Sequence, residues 1–234
     1  MKQLIIGDIH GCYDELQDLL DKVGLTSDDQ IISIGDMVDR GPKSAECLNF
    51  FRVTPNAMSI QGNHERKHVR SYRGQAEAAA SQTITRAQIG EDNYADAIAY
   101  MDDLPRYLGL PDATLVHAFW EPEVALEDQR ENVIVGTMSG EEYLKDNGIW
   151  PWYEYYDGDK PLIVGHRDYS DGQMRPFIYE ERVYTIDSRC VYGGWLTGLL
   201  LPEFKLIEVP SRGDHWNAVM RQYAGIISRY GEKS

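Results

Sequence analysis

The sequence predicts an α/β (α+β) fold, a two-layered β-sandwich flanked by helices. Two observations predict it. Apolar, strand-like runs alternate with helical patterns in the first third of the chain, and short β-type runs fill the last third. The 234 residues contain no linker, repeat or low-complexity tract, so we expect a single domain over residues 1–234.

The first third has the pattern of βαβ units. Apolar runs at Leu4–Ile6 and Ile31–Ile34 flank apolar residues at helical spacing over Leu16–Val23. We expect a second helix with Pro42 in its first turn and a third strand at Ala57–Ile60. Because parallel strands need a crossover connection, this sheet should be at least partly parallel.

Helix formers dominate a segment near residues 65–104, which we interpret as a helical insert that includes the Ala-rich stretch Gln75–Ala80. The chain then returns to the sheet at Thr114–His117. Further β-type runs predict a second, mostly antiparallel layer, followed by a helical tail after His215. These runs are Leu162–Val164, Phe177–Tyr179, Val183–Ile186, Trp195–Leu201 and Lys205–Val209.

The composition argues against two classes of protein. The formal net charge of −15 would repel nucleic-acid phosphates, so we expect no nucleic-acid partner. No apolar run approaches the roughly 18 residues of a membrane span, so we expect no membrane partner. Three cysteines, an odd number without a signal segment, favour a reducing compartment, and we expect a cytoplasmic protein. An anionic substrate would need cations gathered at one place.

Three glycine-flanked segments carry side chains that bind hard metal ions or phosphate. Each follows a predicted strand, where α/β sheets present ligands. A carboxylate and an imidazole of the first could hold one cation, and a carboxylate of the second could bridge to another about 3.5–4 Å away. A simple Gly-Asp turn is the alternative for one segment alone, but three in order favour a dinuclear site. The segments are Gly7-Asp8-Ile9-His10-Gly11, Gly35-Asp36-Met37-Val38-Asp39-Arg40-Gly41 and Gly62-Asn63-His64-Glu65.

These segments resemble the signature of the calcineurin-like metallophosphoesterases, and more narrowly of the phosphoprotein phosphatase superfamily. That group includes bacterial and phage serine/threonine phosphatases and symmetrical dinucleoside tetraphosphatases. The resemblance continues through His117, Gly165-His166, Asp187 and Gly193–Thr197. It implies the metallo-dependent phosphatase fold and two divalent metal ions, with Mn²⁺ expected and Fe, Zn²⁺, Ni²⁺ or Co²⁺ as alternatives. The implied ligands are Asp8, His10 and Asp36 for the first metal, and Asp36, Asn63, His117 and His166 for the second.

The resemblance also implies a mechanism. A hydroxide bridging the two metals would attack phosphorus, because the metals lower the pKa of bound water from 15.7 towards about 7. His64 would protonate the leaving group while Asp39 orients its imidazole. Arg40 would clamp the phosphoryl oxygens through its planar fork of donors, with Asn63 as a further substrate contact. Glu65 is expected to make a structural hydrogen bond.

The chain departs from the family around the cleft. Bulky Phe119-Trp120 follows His117-Ala118, where relatives carry glycine, and should alter the cleft wall. The arginine that relatives place two residues after a tryptophan is absent, since Trp152 stands there. Arg167 and Arg189 occupy unusual positions, and either could restore the lost phosphate contact. We rank Arg167 first because it adjoins His166 at a strand end.

We expect metal-dependent hydrolysis of phosphate monoesters, of the serine/threonine phosphatase type, on a phosphopeptide or an aryl phosphate. Dinucleoside tetraphosphate hydrolysis, with a nucleotide substrate, is the alternative. A noncatalytic phosphoryl-binding module is an alternative of another class. The aromatic run from Trp150 to Tyr156 leaves this choice open, because it could stack on a base or a phenyl group or cover the sheet. The oligomeric state is also left open.

Overall fold

The computed structural model describes residues 1–231 and contains two five-stranded β-sheets. The strands are β1 (Gln3–Ile6), β2 (Gln30–Ser33), β3 (Ala57–Ser59), β4 (Tyr107–Gly109), β5 (Thr114–Val116), β6 (Leu162–Val164), β7 (Phe177–Tyr179), β8 (Val183–Thr185), β9 (Trp195–Leu201) and β10 (Lys205–Pro210). The helices are α1 (Tyr13–Val23), α2 (Ser44–Val53), α3 (Asn63–Tyr72), α4 (Ala80–Ile89), α5 (Glu91–Asp103), α6 (Glu131–Ile134), α7 (Met138–Asp146), α8 (His215–Gln222) and α9 (Ala224–Gly231).

The first sheet has the strand order β10-β9-β1-β2-β3, and the second has the order β4-β5-β6-β8-β7. Strands β1, β2 and β3 are parallel, whereas β9 and β10 extend the sheet in antiparallel fashion. In the second sheet β5, β6 and β8 are parallel, and the two edge strands are antiparallel. The predicted two-layered α/β architecture is confirmed.

The predicted membership of the second sheet is wrong in three respects. Its central strands are parallel, so the layer is mixed rather than mostly antiparallel. The runs at 195–201 and 205–209 form β9 and β10 of the first sheet, and the run at 114–117 forms β5 of the second. Short apolar runs predict strands but do not specify which sheet edge each strand joins.

Helices α3, α4 and α5 occupy the predicted insert, with one difference. The Ala-rich stretch Gln75–Ala80 is irregular up to Ala79, because α4 begins only at Ala80. There the Gln82 side chain accepts a hydrogen bond from the Ala79 amide at 3.0 Å. Pro42 precedes α2 rather than lying in its first turn. Helices α8 and α9 confirm the tail after His215, and α6 and α7 were not predicted.

Both faces of the first sheet are buried. Leu4 and Ile6 pack towards the helices, whereas Ile5 points between the sheets and packs with Ile32 and Ile163. Such burial is typical of parallel strands and explains their continuous apolar sequence. The loops at the strand ends are therefore held by a rigid core.

Within residues 1–231, no helix combines the length and apolarity that crossing a bilayer requires.

Candidate metal and phosphate site

The six predicted metal ligands lie together where the carboxyl ends of both sets of parallel strands meet. Parallel strands end at one edge of a sheet, so segments far apart in sequence converge there. Three strands of the first sheet and two of the second contribute. Asp8 and His10 follow β1, Asp36 follows β2, Asn63 follows β3, His117 follows β5 and His166 follows β6.

Asp36 stands at the centre of this cluster. Its Oδ2 lies 3.6 Å from His10 Nε2 and 3.5 Å from His117 Nε2. Both imidazoles donate their Nδ1 hydrogen to a backbone carbonyl, which leaves each Nε2 facing the carboxylate. Asp36 Oδ1 accepts the backbone N–H of His64 at 3.0 Å. The arrangement suits a carboxylate shared by two cations.

Asn63 faces the second group of candidate ligands. Its Oδ1 lies 3.1 Å from His117 Nε2 and 3.0 Å from His166 Nδ1. Donor atoms of Asp36, His117 and His166 lie within 4.8 Å of one another, as do those of His10, Asp36 and His64. The first of these groups matches the predicted second site. The second group contains His64 in place of Asp8, the third ligand predicted for the first metal.

Asp8 shows that the cluster fits a cation. Its Oδ2 is buried and has no hydrogen-bond partner among the described residues, while Oδ1 accepts the His166 amide at 2.9 Å. An orphan carboxylate oxygen costs free energy unless a cation or proton satisfies it. Burial, with Asp187 nearby, raises the pKa of Asp8, and the carboxylate of Asp36 helps raise the pKa of His117 to about 10.

These pKa shifts predict that metal uptake depends on pH. Without metal, the raised pKa keeps a proton on His117, and the stability this gives is present below the unfolded value near 6.5 and lost as pH rises through about 10. Cations must displace that proton, so their affinity should increase with pH over this range. Titration calorimetry in two buffers of different ionisation enthalpy should show proton release. Uptake without proton release would contradict this account.

Gly165 is required for the position of Asp8. A Cβ at Gly165 would lie 2.1 Å from Asp8 Oδ1, which is closer than side chains tolerate. Gly165→Ala should therefore displace the carboxylate and lower metal affinity by about 10- to 100-fold, the range measured when support for a ligand is lost. Gly109→Ala, with open space at its Cβ, is the matched control. Equal metal affinity in the two variants would contradict the prediction.

Left-handed backbone is concentrated at the site. Residues other than glycine seldom adopt positive φ, and each such residue costs of order 1–3 kcal/mol unless its surroundings impose it. Glu65, as expected, helps to impose it, since its carboxylate accepts the backbone amides of Asp36, Met37 and Gly62. Site residues with positive φ are His10, Asp36, Asp39, Arg40, His166 and Arg189.

Asp39 and His64 form a buried pair beside the cluster. Asp39 Oδ2 accepts a hydrogen bond from His64 Nδ1 at 2.6 Å, and His64 Nε2 faces Asp36 Oδ2 at 4.0 Å. Hydrogen bonds and the nearby imidazoles hold the pKa of Asp39 well below its usual range despite burial. Sequence reasoning missed three further donors to Asp39, namely His68, Gln82 and Thr85.

Three arginines surround the cleft beside the cluster. This cleft, of about 180 Å³, is lined by Arg40, Arg167 and Arg189, together with Asp187, Val191, Tyr192 and two site histidines. Arg40 Nη1 donates to His10 Nε2 at 2.7 Å. In a chain of net charge −15, these guanidinium groups supply the local positive charge that an anionic substrate needs.

The arginines differ in their partners. Arg167 forms a two-point ion pair with Glu141, at 3.0 and 2.6 Å. Arg189 lies 4.4 Å above the Tyr192 ring, and no carboxylate among the described side chains pairs with it within 4.0 Å. Asp187 Oδ1 accepts the Arg189 amide at 2.8 Å and so fixes its loop. Arg167, ranked first from sequence, is therefore already paired with a carboxylate, whereas the guanidinium of Arg189 is not.

Arg189→Ala should lower kcat/KM roughly 10- to 150-fold, because a charge-assisted contact is worth about 1.5–3 kcal/mol. Arg167→Ala should cost less, since Glu141 already holds its guanidinium. Steady-state kinetics at constant metal content measure both. The control is Arg175→Ala, which removes a pair with Glu208 outside the cleft. A larger loss for Arg167→Ala than for Arg189→Ala would restore the ranking from sequence.

Much of the aromatic run covers the second sheet. Trp152 is buried, donates its Nε1 hydrogen to the Tyr169 hydroxyl at 2.8 Å and packs edge-on against Phe119. Phe119 is also buried and backs the His166 ring, with ring centroids 5.2 Å apart. Trp120 points elsewhere and helps line a cavity of about 470 Å³ at the opposite end of β5. Of the bulky pair, Phe119 therefore supports the candidate ligand His166 from behind, whereas Trp120 does not.

The family model for calcineurin-like phosphoesterases matches residues 1–191 of the chain. The chain belongs to this family. A bis(5'-nucleosyl)-tetraphosphatase PrpE [asymmetrical] of Halalkalibacterium halodurans is 31% identical, over 94% of this chain and 98% of that protein. The Bacillus subtilis protein of the same name is 28% identical, over 88% of this chain and 93% of its own. Membership implies a hydrolase that uses divalent metal ions.

Two solved structures share the fold of this chain. One described as a "putative diadenosine tetraphosphatase" superposes with a TM-score of 0.74 at 27% identity, covering 90% of this chain and 93% of that one. A Saccharomyces cerevisiae serine/threonine phosphatase superposes with a TM-score of 0.60 at 14% identity, covering 90% and 79%. At 14% identity, the similarity to the yeast enzyme shows only a shared fold.

Proposed function

We propose that the chain hydrolyses dinucleoside tetraphosphates asymmetrically, to a nucleoside triphosphate and a nucleoside monophosphate. The relatives that bear this activity in their names align over nearly their whole length. Dinucleoside tetraphosphate hydrolysis is the alternative from sequence, where the resemblance names the symmetrical type. The names of these relatives favour this alternative over a serine/threonine phosphatase, and favour asymmetrical cleavage. The proposal keeps the predicted metal ligands and the roles of Asp39, Arg40 and His64.

The observation that carries the proposal is the arginine-lined cleft. A bridging tetraphosphate bears more negative charge than a phosphate monoester. The three guanidinium groups of the cleft outnumber its one carboxylate, Asp187, although Arg167 is also paired with Glu141. With one phosphorus at the metal cluster, three phosphates remain, which Arg40, Arg189 and Arg167 could contact. Tyr192, beneath Arg40 and Arg189, would hold those two side chains in place.

Each group of site residues would have its own role in the reaction. Asp8, His10, Asp36, Asn63, His117 and His166 would hold two divalent ions, which lower the pKa of bound water and neutralise phosphate charge. Arg40 Nη1 contacts His10, so its guanidinium group would orient the phosphoryl group beside the candidate metal ligands. His64 would present Nε2 to the leaving oxygen, because its Nδ1 is engaged by Asp39.

The candidate ligands bear on the identity of the metal, and the cysteines bear on the cellular compartment. Carboxylate, amide and imidazole ligands suit Mn²⁺, which we propose as the metal, and they also accept Fe, Zn²⁺, Ni²⁺ or Co²⁺. All three cysteines are buried as free thiols, as expected in a reducing compartment. We propose that the reaction takes place in the cytoplasm.

Product analysis tests the proposal directly. The Mn²⁺-loaded protein is incubated with diadenosine tetraphosphate, and the nucleotides are separated by anion exchange. Equal amounts of ATP and AMP are expected. ADP alone would show symmetrical cleavage and contradict the asymmetric proposal. An inert dinucleotide together with rapid phosphate release from a phosphoserine peptide would restore the serine/threonine phosphatase interpretation.

A further inference from the structure

The carboxylate of Asp39 is shared by two imidazoles. His64 Nδ1 donates to Oδ2 at 2.6 Å, and His68 Nε2 donates to Oδ1 at 2.8 Å. Gln82 donates to Oδ2 as well, and Thr85 Oγ1 donates to Oδ1 at 2.7 Å. These donors fill the roughly four acceptor sites of a carboxylate that is completely buried. Asp39 therefore has no freedom to rotate without losing a hydrogen bond.

The second imidazole is oriented from behind. His68 Nδ1 lies 2.8 Å from the Tyr94 hydroxyl. Asp39 Oδ1, as a carboxylate oxygen, can only accept, and the Tyr94 hydroxyl can donate to the bare nitrogen of a neutral imidazole. His68 must then carry its hydrogen on Nε2, which is the nitrogen that faces Asp39. The chain of hydrogen bonds runs from Tyr94 through His68 to Asp39, and His64 meets Asp39 from the other side.

The two imidazoles have different surroundings. His64 reaches the cluster, with Nε2 4.0 Å from Asp36 Oδ2. His68 is fully buried, and its two ring nitrogens are occupied by Asp39 and Tyr94. They lie four residues apart on one face of α3, so a single carboxylate can meet both. Only His64 is placed to touch a substrate.

We propose that His68 is a positioning residue for His64, acting through Asp39. By anchoring Oδ1, it keeps Oδ2 aligned with His64 Nδ1, so that His64 Nε2 points at the leaving oxygen. All four groups behind this alignment come from the helical insert: His68 from α3, Gln82 and Thr85 from α4, and Tyr94 from α5. The insert thus closes over Asp39 and fixes the direction in which His64 delivers its proton. The inference rests on the acid role given to His64 under the proposed function.

The test compares two aryl phosphates that differ in their need for a proton. Phenolate is a poor leaving group and needs one, whereas nitrophenolate leaves without one. His68→Phe removes the donor to Asp39 but keeps a ring against Tyr94, and His68→Gln restores an N–H donor. The Mn²⁺-loaded 234-residue protein is assayed for kcat, KM and bound metal with phenyl phosphate and with p-nitrophenyl phosphate.

His68→Phe should lower kcat on phenyl phosphate roughly tenfold or more, and on p-nitrophenyl phosphate by about threefold or less, with KM and metal content unchanged. His68→Gln should return within about threefold of the parent. Tyr94→Phe, which removes only a hydroxyl, should shift the ratio of the two rates in the same direction by a smaller factor.

Three outcomes would overturn the inference. Equal losses on both substrates would show that His68 is merely structural. If His64→Asn alters the ratio of the two rates and neither His68→Phe nor Tyr94→Phe does, the acid role stands and the positioning role fails. If the parent protein hydrolyses neither aryl phosphate nor diadenosine tetraphosphate, the proposed function fails and the inference fails with it.

Discussion

Asp36→Asn should reduce hydrolysis of diadenosine tetraphosphate to background and weaken metal binding at both positions. Asp36 Oδ2 is the oxygen that faces imidazoles of both predicted metal sites, at 3.6 Å from His10 and 3.5 Å from His117. An amide has no charge to share between two cations, so both would be held less tightly. Activity assays and metal analysis of the purified variant measure the two effects.

Asp29→Asn is the matched control for this variant. Asp29 is also a buried carboxylate, but its oxygens accept hydrogen bonds from Lys2 and Thr26 at the other end of the first sheet. The Asp29→Asn protein should retain two metal ions and nearly normal kcat. An Asp36→Asn protein that keeps two bound metals and near-normal kcat would eliminate the dinuclear account.

His64→Asn should lower kcat on phenyl phosphate by about 10²- to 10⁴-fold, the usual contribution of a general acid. The loss on p-nitrophenyl phosphate should be much smaller, because nitrophenolate leaves without a proton. For diadenosine tetraphosphate the leaving group is an acidic phosphate oxygen, so we expect the smaller loss there too. Parallel determination of kcat on the three substrates tests this order.

Lys67→Ala, at a partly exposed position on the same helix and next to none of the candidate ligands, controls for changes in α3. It should leave all three rates nearly unchanged. A uniform loss across the three substrates of His64→Asn would remove His64 from the acid role and assign it to substrate or metal positioning.

Part of the candidate metal site could be predicted from the residues themselves, because some of its positions follow from a simple rule. Asp8, Asp36 and Asn63 each come directly after an apolar run, and parallel strands end at one edge. His117 and His166 follow runs of the same kind in the second sheet. Local sequence therefore placed these residues at strand ends, whereas the family resemblance supplied the full set of ligands. The assignment of some strands to sheets was wrong.

The partners of the arginines could not be predicted, because they depend on tertiary contacts. Glu141 meets Arg167 across 26 residues, from a helix that the sequence did not indicate. The hydrogen bond from Gln82 to Asp39 likewise joins residues 43 positions apart, although α4 lies within the predicted insert. His68 did leave a signal, since it lies four residues after His64, near the start of the predicted helical insert. Two imidazoles on one helical face could have suggested a shared carboxylate.

The most direct test of the dinuclear account is a metal titration of the metal-free protein. Mn²⁺ is added in steps while bound metal and hydrolysis of diadenosine tetraphosphate are measured in parallel. The account predicts that two ions bind per chain and that activity rises only as the second site fills. Full activity with one bound ion, or unchanged activity in the metal-free protein, would contradict it.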